Sequence, residues 1–303
     1  MVASFVGILI ATLAPAFTGG GAGTPQGLTP VMQGLGLWSI VLFPLSAFLI
    51  WRLVPDATVQ GTDTHPSWAQ GLKIAMKNAP FMRILIATTI GRIGSAINTT
   101  VVLWFFIFVL GLGPSSGLPV IVYLLAAVLG VPLWVVLGNR FSKHNALIAA
   151  VLVSLAAFAF LLLVPRGDVT LACIVMLIAG LGGGAAGTLG LSIAGDVIDL
   201  DELRARRSRA GLLVAFWNMG SKLADAIGGF IALMIISAFG FNAANPQNGP
   251  DAIWGLTLTY VIVPWPFFLV SVLLLWRFPI TRERQARIRR LVERRAARHN
   301  ATQ

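Results

Sequence analysis

Arg92, Lys222 and Asp225 are charged residues lying inside long apolar runs, where hydrocarbon gives them no stabilisation. A charge at the centre of a membrane helix costs about 2.5–3.5 kcal/mol on insertion scales, so such groups face protein or water, not lipid. Lys222 stands about 11 residues into its run. At 1.5 Å per residue that is roughly 16 Å, near the middle of a hydrocarbon core about 30 Å thick. Asp225 follows at i+3 and Asn218 precedes at i−4, so the three share a helix face, with Trp217 beside them. A second stripe has Thr88, Arg92, Ser95 and Thr99 at i−4, i, i+3 and i+7. Two polar faces on different helices predict a shared cavity lined by Lys222, Asp225, Asn218, Trp217, Arg92, Ser95 and Thr99. Asp225 has two cations to choose between, Lys222 on its own helix and Arg92 across the cavity. The plainer alternative is an ion pair that only fixes helix packing. The three formal charges sum to +1, leaving room for a substrate anion, a carboxylate elsewhere or a deprotonated Lys222.

A second cluster begins at Gly195. Four acids (Asp196, Asp199, Asp201, Glu202) precede four arginines (Arg204, Arg206, Arg207, Arg209), and an apolar run then reopens at Gly211. This stretch reads as a charged loop between two spans. Other motifs carry less. Gly180–Gly190 (GLGGGAAGTLG) has no Lys-Ser/Thr after it and lies within an apolar run, so it predicts close helix packing and not a phosphate loop. The three histidines fall outside the apolar runs, which leaves Ser192 without a base and the membrane without a metal cluster. No enzyme and no bound cofactor are expected.

The elements that must position these charges are membrane helices. Hydrophobic residues make up 57% of the 303, and charged residues 11%, against about 25% charged in a soluble domain. Apolar runs of about 20 residues recur, which predicts an all-α polytopic membrane protein of about eight transmembrane helices. The expected spans are 1–17, 35–54, 81–111, 118–137, 146–164, 171–194, 211–238 and 253–276. Thr18–Pro30 is a Gly/Pro-rich connection. Residues 55–80 form a polar linker in which Trp68, Leu72, Ala75, Met76 and Ala79 repeat at helical spacing, predicting a helix on the membrane surface. The division is therefore 1–54, linker 55–80, a six-helix unit 81–278 and a basic tail 279–303. The single cysteine, Cys173, excludes an internal disulfide.

Charge also orients the chain. With both termini, the linker, Gly138–Asn145 and the acid–arginine stretch in the cytoplasm, 19 of the 22 Lys and Arg lie on or beside that side. A multi-pass protein of the cell (inner) membrane with both ends cytoplasmic follows. The tail carries eight arginines after Arg277 and fits anionic lipid, at roughly 1 kcal/mol per basic residue near the surface; nucleic acid is not the expected partner.

Gly195–Gly229 (GDVIDLDELRARRSRAGLLVAFWNMGSKLADAIGG) resembles the helix 10–11 region of the glycoside–pentoside–hexuronide:cation symporter family of the major facilitator superfamily. The shared pattern is carried by Asp196, Asp199, Arg209, Gly211, Phe216 and Lys222. Leu72–Ala87 and Gly138–Leu147 resemble the same family's entry to helix 7 and its helix 8–9 loop, and order and spacing fit from about residue 67 to 278. The resemblance implies a twelve-helix fold of two halves, with this chain supplying helices 5–12 and lacking the first four. It implies a secondary active transporter working by alternating access, with a sugar or glycoside as small-molecule substrate and Na+ or H+ as coupling ion. Lys222 would line the central cavity. Asp196 and Asp199 would form a cytoplasmic gate with Arg140, Arg207 and Arg209. Asp225 and Arg92 stand outside the family pattern, and relatives of this fold also carry lipids and organic anions. The family's coupling acids and much of its sugar site belong to the helices with no counterpart here, so the chain alone is expected to bind substrate poorly and not to drive coupled transport. A non-transporting membrane scaffold or regulatory subunit is the alternative from another class.

Overall fold

The computed structural model describes residues 25–53, 68–205, 210–276 and 278. The chain divides into two compact units, Met1–Pro66 and Ser67–Gln303. In the first, the described residues form one helix, α1 (Pro25–Leu53). It starts ten residues before the expected span, so the end of the predicted Gly/Pro connection is helical. The expected span 1–17 lies outside the described residues.

In the second unit the elements are α2 (Trp68–Lys77), α3 (Ala79–Trp104), α4 (Gly117–Arg140), α5 (Lys143–Phe160), α6 (Val169–Ala205), α7 (Ala210–Ala238), α8 (Pro250–Thr257) and α9 (Pro264–Leu275). No strand occurs among the described residues. A π-helical turn, Phe105–Val109, extends α3, and another, Leu258–Ile262, joins α8 to α9. Six of the resulting helices are long and apolar enough to cross a membrane. The side chains pack as two groups, α4–α5–α6 and α3–α7–α9, with α3 also meeting α6 and α9 meeting α5.

Small residues set the first group. A Cβ added to Gly180 or Gly184 of α6 would strike the carbonyls of Tyr123 and Ala127 on α4, and one added to Gly182 would strike Ala150 and Ser154 on α5. The glycine-rich run thus brings backbones together, as small residues do in membrane interfaces where no hydrophobic force draws helices together. In the second group, Gly228 of α7 lies against Ile93, Ala96 and Ile97 of α3. That close approach sets α7 beside the Arg92 stripe.

The core has two centres. Near the acid-rich end of α6, Phe81, Ile84, Leu213 and Val197 are buried together. At the other end Tyr260 stacks on Phe105 at 4.4 Å between ring centres, inside a cluster with Phe106, Phe158 and Leu161. A π-helical turn shifts the backbone out of its i−4 register, and Asn98 Nδ2 donates to the Tyr260 carbonyl there at 2.5 Å. Gly167, at φ 85°, lets the turn before α6 fold back, and its N–H donates to the Leu110 carbonyl at 2.7 Å.

One expectation changes. The acid–arginine stretch is not a loop over its acidic half, because α6 runs on to Ala205 and carries all four acids on helix. The helix expected in the linker is present as α2, with Gly71 against Leu212 of α7, Ala75 in the core and Met76 63% exposed.

Candidate functional site

α3 and α7 lie side by side, and their polar stripes meet. The Arg92 guanidinium grips Asp225 with two parallel hydrogen bonds, Nε to Oδ1 at 2.8 Å and Nη2 to Oδ2 at 3.0 Å. A planar fork matched to a carboxylate outcompetes a lysine for the same acid. Asp225 therefore takes its partner across the helix interface. The side chains remain 51% and 38% exposed, so the pair lies at an open surface and is not sealed in the core. Ser95 and Thr99 continue the α3 stripe, both exposed. Thr99 Oγ1 is turned back to the Ser95 carbonyl at 2.9 Å.

Lys222 and Asn218 are exposed on α7. Among the described residues Lys222 has neither an ion pair nor a hydrogen bond. With Arg92 and Asp225 neutralising each other, Lys222 is the remaining formal charge of the three. Trp217 and Asn218 edge a recess of about 190 Å³ between α3, α6 and α7.

The acid-rich end of α6 holds a second constellation. Lys143 Nζ, at the start of α5, donates to both Asp196 oxygens, at 2.9 and 2.7 Å. The two side chains are 19% and 13% exposed. Nearby, Asn78 caps α3: its Oδ1 accepts from the Phe81 N–H at 3.2 Å, and its Nδ2 donates to Asp201 Oδ1 at 3.0 Å. The other oxygen of Asp201 is buried with no partner among the described residues. Arg83 donates to the Leu274 and Trp276 carbonyls at 2.6 and 2.5 Å, closing the end of α9. Of the predicted gate residues, Asp199 is half-buried and Arg140 is exposed, its guanidinium 5.7 Å from the centre of the Phe141 ring. Arg207 and Arg209 lie outside the described residues. Lys143, Asn78, Asp201 and Arg83 were not among the predicted site residues. The Asn-Ala-Pro start at Asn78 is a legible capping signal. No sequence signal gives its tie to Asp201, 123 positions away.

The six spans, with charged side chains paired between α3 and α7, define a polytopic helical membrane protein. The family described as MFS/sugar transport protein matches residues 1–282, and the chain belongs to it. An uncharacterised symporter from Synechocystis sp. is 28% identical over 228 residues, 73% of this chain and 42% of that protein. The glucuronide carrier protein homolog of Escherichia coli K12 is 23% identical over 80% of this chain and 54% of its own length. The sodium-dependent lysophosphatidylcholine symporter 1 of Xenopus tropicalis is 24% identical over 76% of this chain and 44% of its own. The chain spans about half the length of the curated relatives it matches. The resemblance to this symporter family read from Asp196–Lys222 is thereby established, together with the major facilitator fold.

Proposed function

We propose that this chain forms the cavity-bearing part of a cation-coupled secondary transporter for an anionic glycoside, working by alternating access. The observation that carries the reading is the charge arithmetic of the polar face shared by α3 and α7. Arg92 and Asp225 satisfy each other, and Lys222 is left exposed without a partner among the described residues. A cation held near the bilayer midplane is stabilised by an arriving anion, and a glucuronide carries a carboxylate. The glucuronide carrier homolog among the relatives supports this substrate class. The lysophosphatidylcholine symporters support a second reading in which a phosphate is the anion. In both, Lys222 binds the charge, Asn218, Ser95 and Thr99 offer hydrogen bonds, and Na+ or H+ drives the cycle. Asp196 and Asp199 then belong to the charge network that closes the cytoplasmic gate.

Purified chain in lipid nanodiscs is expected to bind methyl β-D-glucuronide more tightly than methyl β-D-glucoside, by about tenfold or more, as a charge-assisted hydrogen bond implies. Lys222→Ala should abolish that preference, and Lys222→Arg should keep part of it. Calorimetric titration of both sugars decides, and an unchanged preference in Lys222→Ala would remove Lys222 from the site.

The location follows from charge: a cell (inner) membrane, with both termini cytoplasmic and the basic tail against anionic lipid. A reporter active only in the cytoplasm, fused after Gln303, is expected to be active. A silent cytoplasmic reporter together with an active periplasmic one would invert the topology.

A further inference from the structure

We infer that His144 is an acid-sensitive clasp on the end of α9. Neutral, its imidazole packs against Phe278. Protonated, it leaves that contact and frees the chain where it exits α9.

His144 is the second residue of α5 and follows Lys143. Its ring lies 6.3 Å from that of Phe278, centre to centre, at an interplanar angle of 47°. Phe278 belongs to the buried core with Phe81, Leu147 and Leu275, so the half-buried His144 stands at the edge of that core. α3 reaches the same place, because Arg83 donates to the Leu274 and Trp276 carbonyls. Two side chains therefore hold the exit of α9, Arg83 by hydrogen bonds and His144 by its ring.

Electrostatics decides which form of His144 fits there. Partial burial and then the Arg83 guanidinium oppose its charging and hold it below the ordinary histidine range. The first turn of a helix is the positive end of its dipole and acts in the same direction. The Phe278 ring offers no compensation: a cation gains from an aromatic face within about 6 Å of its centre, and the tilted imidazole stands outside that range. Of the charged groups at this end of the bundle, Arg83 on α3, Lys143 on α5 and Arg140 at the end of α4 are cations. Asp196 on α6 holds Lys143 through both oxygens, and Asp199 and Asp201 lie further along α6, with Asp201 tied to Asn78. A proton on His144 adds a cation among cations.

The sign follows from linkage. A released histidine takes up its proton as the pH falls through about 6.5, and the clasped one does so only at lower pH. Acidification therefore favours release, and the clasp stays closed above about pH 6.5. Acid on this side of the membrane loosens the end of α9 while Lys143 and Asp196 still brace α5 to α6.

Hydrogen–deuterium exchange of the whole chain in nanodiscs tests the clasp. The readout is the peptide containing Trp276, whose N–H donates to the Val272 and Leu273 carbonyls. Parent, His144→Gln and His144→Arg are compared at the same pH, so that intrinsic exchange cancels. At about pH 5 the parent is expected to exchange up to about tenfold faster than His144→Gln, the factor that one unit of pKa difference carries, and at about pH 8 equally fast. His144→Arg, charged throughout, should exchange fast at both. Equal rates for parent and His144→Gln at both pH values overturn the clasp, and so does a His144→Arg variant as slow as the parent at about pH 8. Slower exchange in the parent than in His144→Gln under acid also overturns it, and shows the imidazolium gaining a carboxylate partner. An acid-dependent difference spread evenly over all the helices marks global destabilisation and overturns the local device.

Discussion

Gly184→Val is expected to prevent α6 from docking on α4, with a loss of stability of several kcal/mol, while Gly195→Ala on the same helix leaves stability unchanged or slightly raised. The two glycines differ only in surroundings. A side chain at Gly184 would occupy the place of the Ala127 carbonyl, and the same holds one turn earlier for Gly180 against Tyr123. Rigid backbone cannot swing aside as a long side chain can, so the helices must separate and lose their dispersion contacts along the whole seam. Overpacking of this kind costs typically about 1–3 kcal/mol for added methylenes in a core that can adjust. A carbonyl in the way puts valine above that range and alanine within it. Gly195 has open space around its Cα, so alanine there gains helix propensity of about 1 kcal/mol and loses no contact. Thermal unfolding of the purified variants in one detergent tests the contrast. Equal melting temperatures for Gly184→Val and the parent would show that the α4–α6 seam is looser than its geometry.

The second large effect is expected at Lys143 and Asp196. Both side chains are largely buried, and the ammonium reaches both carboxylate oxygens. Removing one member of a buried pair leaves the other charge desolvated, at a cost of about 3–5 kcal/mol, whereas removing both relieves that penalty. Lys143→Ala should therefore destabilise the chain by about 3 kcal/mol, at the low end because the site lies close to a helix terminus and to water. The double variant Lys143→Ala/Asp196→Ala should be less damaged than the sum of the singles, with a coupling of about 1–3 kcal/mol in a double-mutant cycle. Added salt should change the coupling little, since screening acts on exposed charges. Additive single effects would mean that the pair holds nothing together. The consequence for gating is specific: Lys143 braces α5 to α6 within one six-helix unit, so Asp196 is tied to its own bundle through this contact.

Asp196 shows how a residue can be legible while its surroundings are not. Its place in an acid–arginine cluster was plain from spacing, and arginines were its expected company. Lys143 donates to both its oxygens, and the ordinary position of that lysine in a short basic connection gave no sign of the contact. Asp225 is similar. Sequence spacing allowed Lys222 at i−3 or Arg92 on another span. A lysine N-terminal to an acid is the weaker orientation on a helix, and the close approach of Gly228 to α3 brings a bidentate guanidinium within reach.

By itself the sequence determined that the chain is helical and membrane-embedded, where its spans lie in the six-helix unit, and which few residues carry charge inside them. The reason is that hydrocarbon imposes local rules: about 20 apolar residues per crossing, every backbone bond made within the helix, every deep charge costly. Those rules operate along one segment at a time, so periodicity and counting expose them. Only the tertiary structure decided which cation neutralises Asp225, that α6 carries the acids as far as Ala205, that α2 meets α7 through Gly71, and that Gly195 opens a recess where Gly184 closes a seam. Each of these depends on the distance between two helices. That distance is set by the side chains of both, to within the size of a methyl group, and neither helix encodes it alone.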